Sequence, residues 1–209
     1  MVIGVDFDNT IACYDSIIAT IAREALSIGP NAGDGKKEIR DMIRALPDGE
    51  RRWMETQAEA YGPRMGEATL KEGARAFFAR ARELGVKTLI VSHKTEYAKT
   101  DVEMKTSLRA AAMKWMEEQG FFSPGGFGLS KKSVFFESTR IEKVERIRRE
   151  GCTHFIDDLV EVFVEAAFPK GVEKILFTPQ PQAAPSSDMV AFSSWKGITD
   201  HVFRRIGPI

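Results

Sequence analysis

Apolar positions along this chain follow two rhythms. In one, brief apolar runs rich in β-branched residues stop abruptly at polar side chains, over 2–5, 86–91, 134–136, 153–156, 173–177 and 189–192. Each reads as a buried strand. In the other, apolar residues recur every three or four positions. This predicts helices over 15–26 (Ile17, Ile18, Ile21, Ala25), 36–46 (Ile39, Met42, Ile43, Leu46), 50–61, 73–84, about 103–119, 139–149, 159–167 and 195–206. Punctuation supports the boundaries. Asp15 or Ser16 can cap the first helix, Pro47-Asp48-Gly49 makes a turn, Gly62-Pro63 is a break, and Gly85 and Gly151 end helices. Thr139 and Glu142 have capping-box spacing.

The order of these elements carries the architecture. From residue 71 onward helix and strand alternate, the pattern of a parallel sheet with crossover helices and an α/β fold. The first strand stands apart from this alternation, cut off by a stretch that is helical throughout. The expected organisation is therefore a core of 1–15 and 62–209, with 16–61 as a small all-helical cap inserted in it. The segments 29–35, 120–128 and 178–187 read as loops, and there are no internal repeats or heptads.

Composition narrows the function classes. The 209 residues suffice for a core plus an insertion, and 30 basic residues balance 30 acidic ones, so no general field draws the chain to nucleic acid or to an anionic membrane. Cys13 and Cys152 lack metal-ligand spacing and read as small buried hydrophobes of a reduced, cytoplasmic protein. The first residues form a strand rather than a signal peptide, and no apolar run approaches membrane-spanning length.

The chemistry concentrates at the carboxyl ends of three strands. Asp6 and Asp8 leave the first strand on one side, Ser92 closes the second, and Asp157-Asp158 ends the fourth. Open parallel sheets bind ligands beyond these ends, and so many carboxylates there call for a cation. An Asp-x-Asp alone is weak, expected roughly once by chance in a chain of this size.

In combination, Asp6-Phe7-Asp8-Asn9-Thr10, Ser92 at the end of an apolar strand, and Ile156-Asp157-Asp158 with Glu161 resemble the haloacid dehalogenase superfamily, over roughly 1–10 and 70–177. The resemblance implies a three-layer Rossmann-like core, mostly devoted to phosphatases and phosphotransferases. It makes Asp6 the nucleophile that forms an aspartyl-phosphate, and Asp8 the acid and base. Members that cleave carbon-halogen bonds lack this second Asp. Mg²⁺ is hard and prefers oxygen, so Asp6, Asp157 and the Asp8 carbonyl would suit it, with Asp158 as a ligand or just behind. Ser92 would donate a hydrogen bond to a phosphoryl oxygen, and Thr10 follows the first motif on the substrate side.

A lysine should neutralise the developing charge. Lys143, early in the helix leading to the Asp157 strand, resembles the family's third motif, with Lys94, Lys131 and Lys132 in competition. The polar stretch 93–103 departs from the compact family pattern. His93 stands where the family often has a substrate-touching polar residue. His154 reads as a sheet-face residue, His201 as a helix-surface one, and Trp53 and Tyr61 as packing in the cap. The resulting expectation is a Mg²⁺-dependent phosphatase of a small phosphomonoester, such as a nucleotide or sugar phosphate, because a helical insertion would shield the site from water. A phosphotransferase to a non-water acceptor, or a non-catalytic phosphate- or nucleotide-binding protein, are the alternatives.

Overall fold

A computed structural model describes residues 1–26, 36–178 and 186–204. The expected loop at 29–35, most of that at 178–187, and the last residues of the final expected helix lie outside the described residues. Six strands form one sheet: β1 (Val2–Val5), β4 (Lys87–His93), β5 (Val134–Glu137), β6 (His154–Asp157), β7 (Glu173–Phe177) and β8 (Met189–Phe192). Their order is β5-β4-β1-β6-β7-β8, and every pairing is parallel. The expected α/β, Rossmann-like core with a parallel sheet is therefore the fold observed. β1, the first strand of the chain, lies at its centre.

The helices sort by the pleat of the sheet. Leu89 and Val91 of β4, Phe155 of β6 and Leu176 of β7 join one buried cluster with Val144 and Ile147 of α6 (Arg140–Arg149) and Val162 and Phe163 of α7 (Val160–Phe163). Phe177 belongs to the alternate face and packs against Trp195 of α8 (Trp195–Phe203), with ring centroids 5.8 Å apart. Phe77 of α4 (Ala74–Glu83) stacks on Trp195 and Phe203, so α4 and α8 cover that second face. The capping box expected at Thr139 and Glu142 starts α6. Helix-covered faces on both sides explain why the strands read as continuous apolar runs rather than as alternating ones.

The chain divides into two compact units, 1–11 with 70–94 and 117–209, and 12–69 with 95–116. The first contains the sheet. The second holds α1 (Asp15–Leu26), α2 (Lys36–Arg44), α3 (Gly49–Tyr61) and most of α5 (Leu108–Glu118). It is wider than the stretch 16–61 read from sequence, because α5 brings Trp115, whose indole N–H donates to the Ala68 carbonyl at 2.9 Å. Two-residue strands β2 (Ala12–Cys13) and β3 (Thr69–Leu70) pair with each other. Within this unit Trp53 is buried, and Tyr61 packs edge-on to Tyr14 at 4.5 Å.

Three helix boundaries differ from expectation for local reasons. α2 stops at Arg44 ahead of Pro47. α5 begins only at Leu108, because the Asp101 carboxylate captures the backbone N–H groups of Lys105 and Thr106, at 3.2 and 2.8 Å, in a turn where Met104 has φ 52°. α7 ends at Phe163 rather than continuing to 167, since the chain turns back to bury Phe168 against Phe163, centroids 5.6 Å apart. Among the described residues no helix is long and apolar enough to cross a membrane.

Gly4 exposes a tight point of this packing. A Cβ there would lie 2.6 Å from Phe155 Cδ2 and 2.9 Å from Cys152 Sγ, both in the buried cluster. Gly4→Ala should therefore overpack the centre of the sheet and cost about 1–3 kcal/mol. Urea unfolding would register a lower midpoint with an unchanged slope. An unchanged midpoint would mean that the cluster repacks without strain.

Candidate active site

The pleat that buries Gly4 and Phe155 also sets the direction of the polar residues beyond them. Asp6 lies two positions after Gly4, and Asp157 two after Phe155, so both carboxylates end on the face covered by α6. There Lys143 of α6 donates to Asp6 Oδ1 and to Asp157 Oδ2, both at 2.6 Å. Its side chain is 1% exposed, Asp157's is fully enclosed, and the Phe155 ring lies 5.4 Å from the ammonium. The Ser92 hydroxyl donates to Asp6 Oδ1 at 2.9 Å, and the Leu159 N–H to Asp157 Oδ1 at 3.0 Å. Asp6 is thus held by a cation and a hydroxyl from two separate elements.

A second pairing lies beside the first. Lys94 Nζ donates to both carboxylate oxygens of Asp8, at 3.0 and 2.9 Å. Asn9 adopts φ 64°, a left-handed conformation that Asn tolerates, and the Ile11 N–H closes the turn on the Phe7 carbonyl at 2.9 Å. The Trp195 indole N–H holds the Thr10 carbonyl at 3.0 Å, while the buried Thr10 hydroxyl donates to Asp158 Oδ1 at 3.4 Å. Carboxylate oxygens of Asp6, Asp157 and Asp158 lie within 4.8 Å of one another.

No family model matches the sequence, and no curated protein matches it. Solved structures do align with it, over nearly the whole chain. A HAD family hydrolase from Deinococcus radiodurans R1, solved with bound phosphate and sodium, is 14% identical, covers 97% of this chain and 95% of its own, and has a TM-score of 0.56. A haloacid dehalogenase-like hydrolase from Streptococcus pneumoniae is 11% identical over 96% of this chain and 97% of its own, with a TM-score of 0.57. A subfamily IA hydrolase from Geobacter sulfurreducens PCA is 11% identical over 96% and 95%, with a TM-score of 0.55. The chain has the haloacid dehalogenase-like fold.

Of the residues singled out from sequence, Asp6, Ser92, Lys143 and Asp157 form one hydrogen-bonded group, Asp8 pairs with Lys94, and Thr10 bonds Asp158, all within the sheet-bearing unit. Both leading lysine candidates are in it, with Lys143 on Asp6 and Lys94 on Asp8. Lys131 and Lys132 are exposed, and Lys131 pairs with Glu117. His93 is exposed, and its Nε2 lies 3.0 Å from the Ser138 carbonyl, which can only accept, so that nitrogen carries the proton. Glu161 is exposed on α7. His154 and His201 both face Glu173. Sequence reasoning treated Lys94 as a rival of Lys143 and did not foresee that each acid of the first motif has its own lysine. The available signal was the two-residue spacing shared by Asp6/Asp8 and Ser92/Lys94.

The donor set suits a hard cation. Three carboxylates converge, and all their donor atoms are oxygen. Burial pushes the Asp157 carboxyl up to about 7, against the pull of Lys143, and Asp6 adds repulsion. Lys143 is held above its ordinary value by Asp157 and Asp6, which outweigh its burial.

The sign for stability follows. A carboxyl raised from about 3.9 unfolded favours folding most at low pH, and that contribution fades as pH rises through about 7. Metal-free protein should therefore lose on the order of 2 kcal/mol between about pH 5.5 and pH 8, read from urea midpoints in a chelator. Lys143→Met, which leaves two buried carboxylates without their cation, should cost about 3–5 kcal/mol near neutral pH. A flat wild-type profile would mean that Asp157 is ionised throughout.

Proposed function

We propose that the chain is a hydrolase of the haloacid dehalogenase superfamily, a Mg²⁺-dependent phosphatase acting on a small phosphomonoester. The observation that carries this reading is Asp6 gripped by Ser92 at 2.9 Å and Lys143 at 2.6 Å, with Asp8 two residues on. These two donors hold in place the side chain that acts as nucleophile in this reading.

In the proposed reaction an Asp6 oxygen attacks phosphorus, the bond to the leaving oxygen breaks, and Asp8 supplies that oxygen's proton. Asp8, now a carboxylate, takes a proton from a water that attacks the aspartyl-phosphate, which returns Asp6 and releases phosphate. Lys143 and Ser92 hold phosphoryl oxygens as charge moves onto them. Asp6, Asp157 and Asp158 would hold Mg²⁺, with the Asp8 carbonyl as a further oxygen, and the ion would supply positive charge against the phosphoryl group. Phosphate bound to the Deinococcus hydrolase of the same fold is consistent with this. Balanced charge argues for a small substrate rather than nucleic acid, and the helical unit is proposed to carry substrate selection. Within the sheet unit, Thr10 is proposed to sit at the substrate's edge and His93, exposed beside Ser92, to touch the substrate.

A screen of phosphorylated metabolites for phosphate release, with and without Mg²⁺, tests the activity. Calorimetric titration of Mg²⁺ into Asp157→Ala should show at least a tenfold loss of affinity. Wild-type affinity in that variant would refute the ligand assignment.

The two acids of the first motif should separate kinetically. Asp6→Asn should abolish turnover and form no covalent species. Asp8→Asn should lose about a hundredfold to ten-thousandfold in turnover, and with an activated aryl phosphate it should accumulate a phosphate adduct that peptide mapping locates on Asp6. Full activity in Asp6→Asn, or an adduct on Ser92 or His93, would overturn the mechanism.

A further inference from the structure

Lys94 is not a solvated side chain that happens to lie near an acid. Its side chain is 2% exposed, against 17% for Asp8, so the lysine is more deeply enclosed than the acid it serves. Burying an ammonium is costly, and a lysine with a path to water extends along it. Here both Asp8 oxygens accept from one Nζ, at 3.0 and 2.9 Å, with the Phe7 ring 5.7 Å away. The backbone beneath is fixed as well, because the Lys94 N–H donates to the Glu137 carbonyl at 2.9 Å, tying the end of β4 to β5.

The matching spacing at the two strand ends accompanies the pairing. β1 and β4 are parallel neighbours, with Val5 opposite Ile90. Beyond this point two polar residues lie two positions apart on each chain segment, Asp6 and Asp8 just after β1, and Ser92 near the end of β4 with Lys94 just after it. The first of each pair meet, hydroxyl to carboxylate, and so do the second, ammonium to carboxylate. An Asp side chain in a turn has several rotamers of similar energy. A two-oxygen grip by a fixed cation selects one of them and fixes the carboxylate plane.

We propose that Lys94 is a positioning residue that orients Asp8 for proton transfer to the leaving oxygen, with one Asp8 oxygen exchanging its Lys94 contact for the proton it delivers while the other stays held. This deepens the phosphatase reading above and rests on it. It differs from a phosphate-binding role, which would place Lys94 on the substrate and be felt in binding.

The test compares wild type, Lys94→Met, Lys94→Arg, Asp8→Asn and the Lys94→Met/Asp8→Asn double variant on an alkyl phosphate and on an activated aryl phosphate, with thermal unfolding of each. Expected is a loss in kcat of about 10- to 100-fold for Lys94→Met on the alkyl ester, a much smaller loss for the aryl phosphate's leaving-group step, and KM changed by less than about threefold. Lys94→Arg should recover part of the loss, and the double variant should be no slower than Asp8→Asn, since residues that act as a unit are not additive. A raised KM with unchanged kcat, equal losses for both leaving groups, or a double variant slowed by the product of the single effects would overturn the proposal. Should Lys94→Met not fold, Lys94→Gln carries the same comparison. An active wild type whose Asp8→Asn variant shows leaving-group dependence while Lys94→Met does not refutes the Lys94 role alone. A wild type inactive on every monoester refutes the phosphatase reading and this role with it.

Discussion

Two carboxylates buried on one face of adjacent parallel strands repel each other, and the site depends on the single ammonium that reconciles them. Lys143 reaches Asp6 on β1 and Asp157 on β6 from the first turns of α6. Its reach depends in turn on where that helix starts. The Thr139–Glu142 capping box sets the start, and Val144 and Ile147 fix the helix's rotation by burying against Leu89, Val91 and Phe155. Packing below the sheet's end and charge pairing at it are therefore one construction.

The arrangement sorts the acids by their surroundings. Asp157 is wholly enclosed and raised by burial, Asp6 is gripped by a hydroxyl and an ammonium, Asp8 keeps some exposure and its own lysine, and Asp158 takes the Thr10 hydroxyl. Four chemically equal side chains thereby acquire different surroundings. Two lysines pair with three of them, Lys94 with Asp8 and Lys143 with Asp6 and Asp157, and the converging carboxylates of Asp6, Asp157 and Asp158 offer only oxygen.

Much of this was readable from residues alone, for a definite reason. The sheet strands are buried on both faces, so the sequence shows them as unbroken apolar runs, and each run ends where the chain leaves the carboxyl edge of the sheet. Asp6, Ser92 and Asp157 are therefore visible as punctuation. What was not readable depends on contacts distant in sequence. β2 and β3 have two residues each and no period to detect. The inclusion of 95–116 in the helical unit follows from Trp115 meeting Ala68, and the late start of α5 from Asp101 capturing two backbone N–H groups. The shortened α7 reflects the burial of Phe168, where tertiary packing overrides a helical period.

The two lysines show why residue type alone did not separate the candidates. Lys94 and Lys143 follow the carboxyl ends of β4 and β5, whereas Lys131 and Lys132 precede β5 at its amino end. Lys131 and Lys132 sit in a short 3₁₀ turn before β5 and remain in water. Lys94 directly follows an interior strand whose backbone is bonded to β1 and β5, and Lys143 lies on the inward stripe of α6 with Val144 and Ile147. Each cation is thus delivered by a rigid element to a different acid: a helix brings one to the carboxylate between two strands, and a strand brings the other to the carboxylate in the following turn. Because the spacing within β4 matches that after β1, a one-residue slip between these strands would break both the Ser92–Asp6 and the Lys94–Asp8 contacts at once. The register that packs the core is therefore also the register that assigns a partner to each acid.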